Sequence, residues 1–228
     1  MTVTIPTIRF EQLQTGSYEL IDVRTPREFA EFHIPGAYNE PIFTNEERVS
    51  VGTTYKQIGT DEAKELGIDF LSEKLPGIYR RLKHLHEHTE NPLCIYCWRG
   101  GLRSQSLASI LAVMGIECYQ LEGGIRSYRN KIIRDFENRT LQSKPFIVIE
   151  GHTGTQKTAF LEKLQDDGYP VLNLEKYAGH RGSVFGAIGL APHSQKRFDS
   201  MLWERLQELG NTPYYIIEGE SKRIGRIS

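Results

Sequence analysis

Residues 97–104 read Cys-Trp-Arg-Gly-Gly-Leu-Arg-Ser, and this octet decides the fold of the chain around it. The apolar run Pro92-Leu93-Cys94-Ile95-Tyr96 precedes it, and Gln105 to Val113 follows with helical spacing. Cys97 therefore sits where a strand gives way to a helix, a place where backbone amides point at an anion. A helix N-terminus and nearby guanidinium groups favour a thiolate, so Arg99 and Arg103 mark Cys97 as a nucleophile. Gly100 and Gly101 allow close backbone approach. Trp98, Leu102 and Ser104 complete an oxyanion cradle. The whole points to an α/β architecture with a central parallel sheet.

A second signature lies upstream: Leu20-Ile21-Asp22-Val23-Arg24, then Pro26, Glu28-Phe29 and His33-Ile34-Pro35-Gly36-Ala37. Together with the octet it resembles a rhodanese domain. In that family the two upstream words flank a cysteine that carries sulfur or its heavier congener as a persulfide-type adduct. The resemblance makes Asp22, Arg24 and His33 supporting residues, while residue type alone reads Asp22 as a cap on backbone amides at a strand end. The five-residue gap from Cys97 to Arg103 also matches Cys-based phosphatases and arsenate reductases. A loop of that size admits a tetrahedral oxyanion, phosphate or selenophosphate alike.

Further words occur in one order: Val51-Gly52-Thr53-Thr54-Tyr55-Lys56, the octet, LEGGIRSYR from Leu121, a P-loop-like element, Leu174-Glu175 through His180-Arg181-Gly182-Ser183 and Phe185-Gly186, and Ile217 through Gly225. This order is similar to the tRNA 2-selenouridine synthase family along essentially the whole chain. The P-loop-like element follows the strand Pro145 to Glu150 and reads GHTGTQKT from Gly151 to Thr158. Such loops need glycines whose amides wrap phosphate, a lysine for the outer phosphates and a hydroxyl for magnesium. Gly151, Thr153, Gly154, Thr155, Lys157 and Thr158 fit. Gln156 stands where a glycine is expected, because the backbone must turn there without a Cβ in the way. Glu218, at the end of the strand Tyr214 to Ile217, is a candidate magnesium-organising carboxylate, and Arg181 a candidate supporting cation.

By this reading residues 1–137 form a rhodanese-like domain with an insert at about 41–90, residues 138–144 a polar linker, and 145–228 a partial P-loop NTPase-like α/β domain. Strands are expected at Glu19–Val23, Leu93–Tyr96 and Glu117–Gln120, then near 146–150, 170–174 and 213–218, with helices near 157–166 and 194–209. Within the insert, Asp61–Leu66 and Leu75–His88 carry helical spacing, and the Val51–Lys56 word is expected to line a substrate channel. Three strands are few for a domain of the second type, so a C-terminally shortened form, natural or a fragment, is the expectation.

With 228 residues, one to two domains are expected at roughly 150 residues each. No stretch reaches the ~18 apolar residues of a membrane span, and Met1 to Pro6 lacks a signal pattern, so the expected location is cytoplasmic. Three cysteines, Cys94, Cys97 and Cys118, make an odd set without disulfide spacing, consistent with a reducing compartment. A net charge of −1 implies that any nucleic-acid footprint is local. Arg126, Arg129, Lys131 and Arg134 are the candidate tRNA-binding cluster. His84, His86 and His88 lack companion ligands at metal spacing, so no metal site is assigned.

The family resemblance implies a transferase that modifies tRNA, replacing sulfur by selenium in wobble 2-thiouridine with selenophosphate as donor, through a geranylated intermediate from geranyl diphosphate. It implies no tightly bound cofactor, with Mg2+ a candidate ion. Two alternatives stay open: a stand-alone rhodanese-type sulfurtransferase or Cys-based phosphatase, and a catalytically silent truncated form that binds tRNA. The tRNAs chosen and the oligomeric state are unassigned.

Overall fold

Alternating strands and helices build the chain, seen here in a computed structural model that describes residues 5–138, 144–151, 155–181, 189–219 and 224–227. Two compact units result, Met1–Tyr128 and Arg129–Ser228. The first contains β1 (Thr7–Ile8), α1 (Phe10–Leu13), β2 (Glu19–Asp22), α2 (Pro26–Glu31), β3 (Tyr38–Asn39), α3 (Asn45–Gln57), α4 (Thr60–Thr89), β4 (Leu93–Tyr96), α5 (Leu102–Val113) and β5 (Cys118–Leu121). Helix α6 (Ile125–Glu137) runs through the division, which therefore falls earlier than the linker read at 138–144.

Sheet order in the first unit is β1-β5-β4-β2-β3, and every pairing is parallel. Central β4 reads Leu-Cys-Ile-Tyr and is buried on both faces, as a strand covered by helices must be. Leu93 and Ile95 pack with Ile21, Val23, Leu107 and Leu111. The parallel register brings the C-terminal ends of β2 and β4 to one edge, Asp22 beside Tyr96.

A buried ion pair organises that edge. Arg24 and Asp22 are both fully enclosed, and Arg24 Nη2 lies 2.6 Å from Asp22 Oδ2. The same Nη2 donates to the Phe32 carbonyl at 2.6 Å, and the Arg24 amide donates to Asp22 Oδ1 at 3.0 Å. Asn39 Nδ2 donates to the Asp22 and Arg24 carbonyls, which fastens β3. Tyr96 accepts from the Ile34 amide at 3.3 Å and also bonds Asp22. Burial, reinforced by the Asp22 carboxylate, pushes the Tyr96 phenol up, so it stays neutral.

The insert folds as two helices rather than short pieces. Helix α3 starts at a capping box, in which Thr44 Oγ1 accepts from the Glu47 amide and Glu47 Oε2 from the Thr44 amide. Lys74 of α4 pairs with Glu47, and Arg81 with Glu40 at 2.9 Å. The segments expected at Asp61–Leu66 and Leu75–His88 join into one 30-residue α4. Gly67 and Pro76 read as breakers in the sequence. However, Ala63, Leu71, Ile78 and Leu82 recur at helical spacing and are buried, so one continuous apolar face keeps the helix whole.

The second unit contains β6 (Phe146–Ile149), α7 (Lys157–Asp166), β7 (Val171–Leu172), α8 (Leu174–Ala178), α9 (Gln195–Glu208) and β8 (Tyr215–Glu218). Its parallel sheet has the order β6-β8-β7. Tyr177, Phe198, Leu206 and Tyr215 form one core, and Leu161, Val171 and Ile216 another. Within this unit β6 stays partly exposed, with Phe146, Ile147 and Val148 each near half. No helix among the described residues is long and apolar enough to cross a membrane.

Substituting Asp22→Asn strands a buried guanidinium, and the expected loss is about 3–5 kcal/mol. It should appear as a lower urea midpoint at unchanged slope. The double substitution Asp22→Leu with Arg24→Met should recover most of that stability.

Candidate functional site

Cys97 follows the last residue of β4, and α5 begins five residues later. Gly124 makes this geometry feasible. A Cβ there would stand 2.3 Å from the Cys97 carbonyl oxygen and 2.7 Å from the Gly100 nitrogen, and its φ is +58°. The bare backbone lets the LEGGIRS turn close on the octet: the Ile125 amide donates to the Cys97 carbonyl at 2.9 Å, and the Arg126 amide to the Trp98 carbonyl at 3.3 Å. Gly100 also has positive φ, with the Leu121 carbonyl oxygen 2.9 Å from its virtual Cβ.

Cys97 Sγ lies 3.2 Å from Ser104 Oγ, and both residues are buried. Gln120 Nε2 donates to Ser104 Oγ at 2.9 Å and to the Gly100 carbonyl at 2.9 Å. With a lone pair of that oxygen engaged by Gln120, the Ser104 hydroxyl proton has two acceptors in reach, the Gly101 carbonyl at 3.1 Å and the sulfur. Burial pushes the thiol up, but the Ser104 hydroxyl, the Arg103 charge and the amides of Ser104 and Arg99 outweigh it. The net direction is down, toward thiolate. Cys94 has no such support and Cys118 only the Ala112 amide; burial pushes the first up to about 12 and the second to about 11.

Arg103 lines the cavity and also grips Glu28, Nη1 to Oε2 at 2.9 Å and Nη2 to Oε1 at 3.4 Å. Burial pushes Glu28 up, yet Arg103 holds it below the usual carboxylate range, so the pair is ionised and the field of Arg103 is partly spent. Glu28 is positioned by its own capping box with Thr25, at the start of α2. Arg99 is exposed and contributes its amide rather than its side chain to the sulfur. Trp98 and Leu102 stand partly exposed at the rim.

The cavity above Cys97 measures about 890 Å³ and draws its walls from α3 as well as the octet, including Arg48, Tyr55 and Lys56. An apolar cavity of about 580 Å³ adjoins it, lined by Ile42, Leu71, Leu75 and Ile110. Phe43, Val51, Tyr55, Leu102 and Arg103 line both. Asp22 and Arg24 lie behind the site in the ion pair. His33 donates from Nδ1 to the Phe29 carbonyl at 2.8 Å and stacks on the Phe29 ring, and it lines neither cavity.

The phosphate loop of the second unit is described at Gly151, Thr155, Gln156, Lys157 and Thr158; Thr153 and Gly154 lie outside the described residues. Gln156 has φ 62° and ψ 27°, so a side chain occupies the left-handed position at which the sequence pattern anticipates glycine. Lys157 Nζ donates to the Gly151 carbonyl, Thr158 Oγ1 to Glu175 Oε2 at 2.9 Å, and the Glu175 amide to Glu218 Oε1 at 2.7 Å. Glu218 is buried and Arg181 exposed. The words Gly182-Ser183, Phe185-Gly186 and Glu220 to Arg223 also fall outside the described residues.

The basic cluster on α6 is divided in its bonding. Arg129 pairs with Asp199 at 2.6 Å, and Lys131 with Asp135 at 2.6 Å while lying over the Trp203 ring. Arg126 and Arg134 are exposed. Sequence reasoning missed Gln120, whose signal is a polar residue on the inward face of a strand. It also missed Glu28 and Arg48 as wall residues, since nothing local ties them to Cys97; Tyr55 and Lys56 of the wall belong to the Val51–Lys56 word expected at a substrate channel.

The rhodanese-like domain model matches residues 10–131, and the model described as the tRNA 2-selenouridine synthase AAA domain matches 144–228. A curated tRNA 2-selenouridine synthase of Nitrosomonas eutropha is 38% identical over 224 residues, 94% of this chain and 56% of the relative. That of Nitrosomonas europaea is 37% identical over 213 residues, 91% and 54%. The chain thus spans about half the length of these relatives. A crystal structure of the N-terminal domain of a Clostridium difficile 630 protein, named an ATP/GTP binding protein, is 41% identical, with TM-score 0.54, over 56% of this chain and 98% of that one.

Iodoacetamide alkylation of Cys97, followed by peptide mass spectrometry across pH, should show a midpoint below that of an ordinary thiol, ~8.5. Thiolate is present above the lowered pKa and lost as pH falls through it, and Ser104→Ala should move the midpoint upward. Gln156→Gly removes a left-handed side chain and should raise stability by about 1 kcal/mol.

Proposed function

The chain belongs to the rhodanese-like domain family, and from that premise we propose that it is a transferase that modifies tRNA, exchanging sulfur for selenium in wobble 2-thiouridine. The donor in this reading is selenophosphate, and geranyl diphosphate supplies a geranylated intermediate. A reaction on tRNA puts the protein in the cytoplasm. The observation that carries the reading is Cys97, a buried sulfur biased toward thiolate at the floor of an 890 Å³ cavity.

In this reading the Cys97 thiolate attacks the selenium carrier at phosphorus: the P–Se bond of selenophosphate breaks, the released hydroselenide displaces the geranyl thiolate at C2, and water hydrolyses the S-phosphocysteine to free phosphate. Arg103 and the amides of the octet hold the anionic donor, with Glu28 keeping Arg103 in place. Alkylation of the 2-thio sulfur by the geranyl group, with diphosphate leaving, makes that sulfur a thiolate leaving group at C2. The adjoining apolar cavity supports the prenyl part of the proposal, because its walls would bury a hydrocarbon tail while the head stays near Arg103. The phosphate loop would hold a diphosphate or a tRNA phosphate through Gly151, Thr155, Lys157 and Thr158, together with Thr153 and Gly154. An oxygen-only set of Thr158, Glu175 and Glu218 suits Mg2+, a hard cation that would neutralise phosphate charge there.

A second reading, a stand-alone sulfurtransferase or Cys-based phosphatase, is favoured by one observation: every residue of the cradle lies in the first unit. Thiosulfate or aryl-phosphate turnover without tRNA would support it.

Incubation of the chain with thiolated tRNA, selenophosphate and geranyl diphosphate, read by nucleoside mass spectrometry, should give 2-selenouridine. Cys97→Ala should give none, and equal product from that variant would sink the assignment. Ile110→Trp, which fills the apolar cavity, should lower geranylated nucleoside while leaving Cys97 alkylation unchanged.

A further inference from the structure

The walls of the Cys97 cavity carry four cations, Arg48, Lys56, Arg99 and Arg103, against one carboxylate, Glu28. Glu28 is taken by Arg103. Among the described residues no carboxylate pairs with Arg48, Lys56 or Arg99. In a chain of net charge −1, three such cations around a single cavity are a local concentration of positive potential rather than a general basic character.

Helix α3 arranges its share by spacing. Arg48, Gly52, Tyr55 and Lys56 recur at intervals of four, three and one, which places them along one side of the helix. None of the α3 residues is buried. Arg48 lies along the bare side of Gly52, its Nη1 2.8 Å from where a Cβ would stand. Tyr55 leaves 61% of its surface exposed and Trp98 37%, both on the cavity wall. Large rings held open to solvent beside cations have one common use: bases stack on the rings while the cations follow the phosphates. A lipid surface would need a continuous apolar face on α3, and an acidic protein partner would not need a thiolate at the floor.

We propose that this side of α3, with Arg99 and Trp98 of the octet, is a seat for single-stranded RNA, in which Arg48, Lys56 and Arg99 take phosphates and Tyr55 stacks a base next to the nucleotide presented to Cys97. The proposal rests on the tRNA reading above and moves the principal RNA contact from α6 to α3. Two of the four α6 cations, Arg129 and Lys131, already neutralise Asp199 and Asp135, whereas Arg48 and Lys56 of α3 have no carboxylate partner among the described residues.

The test is fluorescence anisotropy of the full chain with a labelled hairpin RNA carrying one 2-thiouridine in its loop, at several salt concentrations. Arg48→Gln with Lys56→Gln should weaken binding about tenfold or more and flatten the salt dependence by roughly one phosphate contact per cation removed. Tyr55→Ala should weaken binding about fivefold or more with the salt slope unchanged, as loss of stacking requires. Arg126→Gln with Arg134→Gln should change little. Thermal melts and Cys97 alkylation rates report whether each variant is folded. Full binding by the α3 variants, or loss confined to the α6 variants, overturns the proposal while leaving the tRNA reading intact. Absence of binding by the parent chain overturns the tRNA reading, and the α3 seat with it.

Discussion

The buried pair of Arg24 and Asp22 is the constraint on which the first unit depends. Neither charge has water to turn to, so each must be satisfied by the other and by nearby backbone. Meeting that demand draws in the Phe32 carbonyl from the end of α2 and Tyr96 from β4, while Asn39 of β3 bonds the backbone carbonyls of the same two residues. Four segments distant in sequence are thereby held at one edge of the sheet. Cys97 is the next residue after Tyr96, so the nucleophile inherits its position from the pair without touching it.

Three cysteines in one chain show what the loop adds. Burial raises Cys94 and, with a contribution from the Glu117 charge, Cys118, whose surroundings are strand and core. Cys97 is equally enclosed, but Ser104, the start of α5 and Arg103 reverse the direction. Gln120 acts at one remove by fixing the Ser104 oxygen and the Gly100 carbonyl. Glu28 limits how strongly Arg103 pulls on any anion, a moderating element that the loop residues alone do not contain.

The second unit shows the reverse case, a local pattern carried with one strained departure. Gln156 adopts the left-handed turn in spite of its side chain, and α7 still begins at Lys157. Thr158, Glu175 and Glu218 connect the start of α7, the start of α8 and the end of β8. Parallel pairing of β6 with β8 brings Ile149 and Glu218 level, so the phosphate loop and the carboxylate meet at the same edge of that sheet.

The central strands were legible in the sequence because β4 is apolar throughout and β2 and β5 carry short apolar runs, and Cys97 was legible because its glycines, arginines and serine are contiguous. Helices α3 and α4 were legible only in pieces. Gly67 and Pro76 signal breaks locally, and only burial of Ala63, Leu71, Ile78 and Leu82 on one face settles the continuous helix. In the upstream words, Asp22 accepts from the Arg24 amide as its residue type suggests and His33 bonds Phe29 four residues back, but the enclosure of the Asp22 and Arg24 charges depends on Phe32 and Tyr96, which only packing brings there. By itself, then, the sequence determined the strand-loop-helix nucleophile and the left-handed strain at Gln156, both local matters of residue type and spacing. Tertiary structure alone decided which groups from outside the octet tune and surround the sulfur, because Gln120, Glu28 and Arg48 converge on it only when distant segments pack against one sheet.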